Sequence, residues 1–146
     1  MKYMWTKIYT FEENTIMNKK LTLFALFLFA CSIALGAFGA HALKEMVVEK
    51  WQMAFETAIK YQFYGSLLLL IISFQPAFNQ KQFARWITLF LIGLGCFSGS
   101  IYGLVLAEIT HVKLAFLGPI TPIGGLLMII SVLMLGIKYS TNKSDL

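Results

Sequence analysis

The chain has 146 residues, of which 58% are hydrophobic, 15% aromatic and only 13% charged, about half the charged share of a soluble domain. Such a composition excludes a water-soluble globule, and it excludes disorder, which needs low hydrophobicity. The net charge of +5 would suit a nucleic-acid partner only if the basic residues gathered on one surface.

They do not. Residues 21–43, 61–80, 86–107 and 114–137 contain no Asp, Glu, Lys or Arg, and every charged residue lies between or beyond these stretches. A helix rising about 1.5 Å per residue needs roughly 20 apolar residues to cross a 30 Å hydrocarbon layer. All four stretches are that long, and runs such as Leu67–Ile72 lack the alternation of barrel strands. The predicted fold is all-α: a four-transmembrane-helix bundle over residues 17–137, with a C-terminal tail at 138–146.

In chain order, residues 1–16 form a mixed N-terminal tail, and Met17 offers a second, more conventional start. Lys19-Lys20 before an apolar run also resembles a secretory signal, and Leu28-Phe29-Ala30-Cys31 loosely resembles a lipoprotein cleavage box. The run continues thirteen residues past Ala30 and Phe29 is bulky, so a retained first span is expected. Between spans one and two, Glu45, Glu49, Gln52, Glu56 and Lys60 recur at helical steps, as do Val47, Trp51, Ala54 and Ala58. This predicts an amphipathic segment over 44–60, lying at the outer interface or extending the second span. It reads first as a connector and second as a docking face for a partner. In span three, Gly95, Gly99 and Gly103 form a smooth stripe, expected to pack within the monomer rather than to make a homodimer seam. Span four carries Gly118-Pro119-Ile120-Thr121-Pro122-Ile123-Gly124-Gly125. Here an irregular lead-in over 114–121 is expected, with Pro122 opening the helix behind a Thr121 cap.

Orientation follows from Lys and Arg in the short loops. The side holding both tails and the 81–85 loop carries Lys2, Lys7, Lys19, Lys20, Lys81, Arg85, Lys138 and Lys143, for a net +5. The other side carries Lys44, Lys50, Lys60 and Lys113, balanced by four carboxylates. Both termini are expected in the cytoplasm, in a multi-pass protein of the cytoplasmic (inner) membrane, with Trp86 and Tyr139 as aromatics of the inner boundary. The basic balance is thus a topology signal, and no nucleic-acid partner is expected.

Threaded this way, the small and polar residues of all spans converge on the outer half: Gly36, Gly39, His41, Tyr61, Gln62, Ser98, Gly99, Ser100, Tyr102, Thr121, Pro122, Gly124 and Gly125. The inner half is nearly pure Leu, Ile, Phe and Met. If the protein has a site, it is expected in that cluster.

Four ordered motifs carry a resemblance: Leu35–Leu43, Trp51 through Tyr61-Gln62, Phe97–Tyr102, and Ile120–Gly125. Over about residues 17–137 the chain resembles the YgdD/YwdK-like family of small bacterial inner-membrane proteins, a family without an established activity. The resemblance implies four spans in the cytoplasmic membrane and supplies no chemistry. One departure is Gly65, where the family often has a histidine shortly after the Tyr-Gln pair.

The residues themselves offer little chemistry. His41 and Glu45 can share a helical face, as can Glu108 and His111, but spacing of this kind is common, and no metal or other cofactor is expected. Cys31 and Cys96 fall mid-span and read as small apolar residues. There is no phosphate loop, nucleophile elbow or carboxylate pair, so an enzyme is not expected. Proton- or ion-coupled carriers usually keep an ionisable group within the membrane, and these spans hold no carboxylate, Lys or Arg. The leading expectation is a non-catalytic interaction or accessory protein, surrounded by the lipid bilayer, with a membrane-protein partner or a second copy of itself. The alternative is a small-solute transporter or channel built as a homo-oligomer.

Overall fold

The computed structural model describes residues 18–142. Four long helices dominate it, here α1 (Lys19–Phe38), α2 (Glu49–Phe74), α3 (Lys81–Thr110) and α4 (Ile120–Asn142), and no strand occurs among the described residues. α1 continues through one widened π-helical turn, Gly39–Leu43, and a last turn, Lys44–Met46. The apolar helical stretches, counted with their terminal turns, run 28, 26, 30 and 27 residues, each more than a bilayer requires.

Local chemistry sets the ends. The Asn18 side chain accepts from the Leu21 N–H at 3.1 Å and caps α1. Val47 is extended at φ −136°, and Val47-Val48 alone joins α1 to α2. The amphipathic stretch is therefore divided: Lys44–Met46 closes α1, and Glu49–Lys60 forms the outer turns of α2. At the other end the expected helix over 61–80 stops at Phe74. Pro76 lacks an N–H and disfavours helical geometry at Gln75, which is extended. α3 stops at His111, a non-glycine residue in the left-handed region at φ 54°. α4 starts at Ile120, two residues before the expected Pro122, so Thr121 lies inside its first turn. Pro119 and Pro122 both sit where an N–H has no intrahelical partner to lose. The irregular backbone is thus confined to the connection before α4, which includes a 3-10 turn at Ala115–Leu117.

The helices pack in chain order, α1 on α2, α2 on α3 and α3 on α4, the last pair most extensively. One apolar cluster near the tails joins Ala25, Leu69, Ile72, Phe83, Phe90 and Leu135. A second, at the opposite end, joins Leu43, Phe55, Ala58, Ile101 and Val105. The π-helical turn helps build the second: Leu43 is fully buried there, and Gly39 lets the Phe55 ring approach to where a Cβ would stand 3.0 Å away. The flanking helices turn large apolar side chains outward, Leu23 and Phe27 from α1, Leu126 and Leu133 from α4. In water such a surface would aggregate; in a bilayer it is the solvated face. At the tail end, Arg85 lies 4.8 Å from the Trp86 ring centroid and Tyr139 stacks on Phe78 at 5.3 Å.

Candidate functional site

Between the two apolar clusters lies a polar layer centred on Gln62, the fourteenth of 26 residues in α2. Its Nε2 donates to the Leu28 carbonyl of α1 at 3.1 Å, and its Oε1 accepts from the Tyr102 hydroxyl of α3 at 3.0 Å. One turn away along both α2 and α3, Ser98 Oγ donates to the Ala58 carbonyl at 2.9 Å. On the far side of α3, Ser100 and Thr121 share a hydrogen bond of 2.6 Å, reaching α4. Side-chain bonds thus run α1–α2–α3–α4 across the whole bundle. Leu28 and Ala58 take part through backbone carbonyls, which no residue type announces in a sequence.

Aromatic contacts extend the layer. Phe55 meets Tyr102 edge-on at 5.2 Å, linking the Gly39 contact to the hub, and Tyr61 packs on Phe97 at 4.6 Å beneath Gly125. Gly124 meets α3 directly: a Cβ there would stand 2.5 Å from the Phe97 nitrogen and 2.7 Å from the Gly93 carbonyl. Gly93 reciprocates, 2.9 Å from the Gly124 carbonyl.

Ten of the thirteen predicted residues therefore belong to this layer or border it, and three do not. Gly36, His41 and Pro122 take part in none of these contacts, and Gly99 borders the layer only through a groove that it shares with Gln62, Ser98 and Tyr102. α2 starts at Glu49, three turns further out than the charge-free stretch that begins at Tyr61. Gly39 consequently faces Phe55 and Ile59, while Gln62 sits at the level of Leu28, deeper than the outer position expected for it. Among the described residues no group of three or more His, Cys, Asp or Glu comes together.

The glycine stripe of α3 needs a correction. Gly103 packs on Leu117 of the connection before α4, but Gly95 and Gly99 touch nothing within 4 Å of a Cβ. They floor an open groove of about 260 Å³ between α1 and α3, walled by Phe24, Leu28, Leu91 and Leu94, with Gln62, Ser98 and Tyr102 along it. The glycine that packs α3 against α4 is Gly93, outside the expected stripe.

All thirteen residues fall within 35–125, the part of the chain matched by the family described as "Protein of unknown function (DUF423)". The chain belongs to that family. A UPF0382 membrane protein of Haemophilus influenzae is 38% identical over 128 residues, covering 87% of this chain and 96% of its own. The UPF0382 membrane protein YwdK of Bacillus subtilis is 34% identical over 115 residues, 74% of this chain and 88% of its own. A UPF0382 membrane protein of Schizosaccharomyces pombe is 39% identical over 100 residues, 67% and 82%, so the relatives are not confined to bacteria. No solved structure matches the chain. The protein is therefore a four-helix membrane protein of a family of unknown function. Its Gly65 has a packing reason: a Cβ there would stand 2.8 Å from the Leu94 side chain, leaving no room for a histidine unless Leu94 moves.

Proposed function

We propose that this protein is non-catalytic and acts by interaction, as an accessory subunit of the cytoplasmic membrane with both termini in the cytoplasm. The observation that supports the reading is the use of its buried polar groups. Among the described residues all eight buried polar side chains, Thr22, Ser32, Gln62, Ser66, Ser73, Ser98, Ser100 and Ser131, hydrogen-bond to another helix or to a carbonyl of their own, and the buried side-chain N–H without a partner is that of Trp86, outside the polar layer. A single copy so filled is a rigid body rather than a conduit. Its polar, unshared face is the outer part of α2, where Glu49, Met53, Glu56 and Lys60 recur at helical spacing and are all exposed. That stripe is the surface offered to a partner.

A photo-crosslinking residue at Met53 in the living cell tests this. One discrete polypeptide adduct, abolished by Glu56→Lys, is the expected result. Crosslinks to lipid alone, together with solute flux in proteoliposomes that changes with Gly99→Leu, would replace the reading with transport by a homo-oligomer. Single cysteines in a cysteine-free background test orientation: Met53→Cys should react with an impermeant maleimide from outside, and Arg85→Cys only after permeabilisation.

A further inference from the structure

A second cavity, separate from the polar layer, lies at the end of the bundle opposite the tails. It measures about 410 Å³ and is formed where Trp51 of α2 faces the end of α3 and the turn that follows. Its floor is apolar, from Leu104 and Leu114, and its rim carries Glu108, His111 and Lys113. The floor belongs to charge-free stretches of the chain, whereas Glu108 and Lys113 are the first charged residues beyond them. The cavity therefore straddles the boundary between hydrocarbon and water.

A site apolar at depth and charged at the rim fits a molecule built the same way, and the membrane consists of such molecules. The rim charges narrow the class. A carboxylate and an ammonium five residues apart border one cavity because the chain reverses at His111, held at φ 54°. The Val112 N–H donates back to the Ala107 carbonyl at 3.0 Å and fixes that reversal. A purely anionic headgroup would be drawn to Lys113 and repelled by Glu108. A headgroup carrying both signs satisfies both. Val112, exposed and part of the lining, adds an apolar side chain beside the charged rim, of the kind that seats in the interfacial layer.

We propose that this cavity binds the headgroup of a zwitterionic, ethanolamine-type phospholipid. Lys113 and His111 receive the phosphate, Glu108 accepts from the primary ammonium, and one acyl chain descends along Leu104 and Leu114. A choline headgroup has no N–H to donate to Glu108 and is disfavoured.

The full chain, reconstituted in bilayers of equimolar phosphatidylethanolamine, phosphatidylglycerol and phosphatidylcholine with matched acyl chains, is released into native mass spectrometry. The expected result is retention of phosphatidylethanolamine about fivefold above the other two, a modest factor because the charged rim is exposed. Glu108→Gln should erase that preference, Lys113→Ala should lower retention of all three lipids, and Ala115→Trp should block the cavity without altering charge. Equal retention of phosphatidylglycerol, or a preference that survives all three variants, would overturn the proposal. Displacement of the lipid by millimolar phosphoethanolamine would overturn its lipid part, showing that a soluble zwitterion suffices.

Discussion

Two faces of α3 carry glycines and meet opposite fates. Gly93 looks across at Gly124, and the two backbones touch; Gly95 and Gly99, on the other side, look into an open groove. In lipid, apolar burial gives helices no reason to associate, and close backbone approach supplies van der Waals contact instead. The seam between α3 and α4 uses glycine in that way. The groove face keeps the conformational cost of glycine without that return inside one copy.

The contrast is sharpest if tested by the same substitution on both faces. Gly124→Ala should force α4 off α3, because the new methyl group would meet backbone atoms that cannot rotate away. A loss of about 3 kcal/mol is expected, read as unfolding in mixed micelles. Gln62→Leu comes next, removing the bridge from the Leu28 carbonyl to the Tyr102 hydroxyl. About 1–2 kcal/mol should go, given that a buried acceptor and a buried donor both lose their partner. Tyr102→Phe and Ser98→Ala each delete one bond and leave the rest. Roughly 0.6 kcal/mol apiece is expected, the average for such bonds in membrane proteins. Gly99→Ala should have the opposite sign, a gain of about 0.5 kcal/mol from reduced backbone entropy in the unfolded state. Should Gly99→Ala instead destabilise the protein in native membranes while stabilising it in detergent, the groove is occupied by a partner helix and the two faces are alike after all.

How much of this was legible beforehand depends on which physical signal governs each part. The spans were legible because charge is costly in hydrocarbon, and that cost leaves gaps in the sequence. The grouping of Gln62, Ser98 and Tyr102 was legible as well, since few polar residues occur in the spans and they must find one another. Their partners were not, because the Leu28 and Ala58 carbonyls belong to the backbone. The charge-free stretch 61–80 runs past the end of α2 at Phe74 because Gln75–Gln80 are uncharged without continuing the α-helix. A proline decides that point, and charge gives no hint of it. The glycine stripe is legible only in part, with Gly103 packed on Leu117 and Gly95 and Gly99 open, for a different reason. Gly95, Gly99 and Gly103 recur at four-residue steps, but Gly93, Cys96, Ser100 and Gly103 also share a helical face. Both stripes are visible in the sequence, and only the position of α4 tells them apart.

The two-residue joint at Val47-Val48 has a consequence for how the chain enters a membrane. So short a link commits α1 and α2 to insert as one hairpin, and the Thr22 hydroxyl bond to Ser73 at 3.0 Å fastens the hairpin at its open end. α3 and α4, locked by Gly93 and Gly124, make a second self-contained hairpin. The segment Gln75–Gln80 between them is then a seam between two preassembled halves. A gene cut there should yield two fragments that find each other in the bilayer and rebuild the polar layer across the cut.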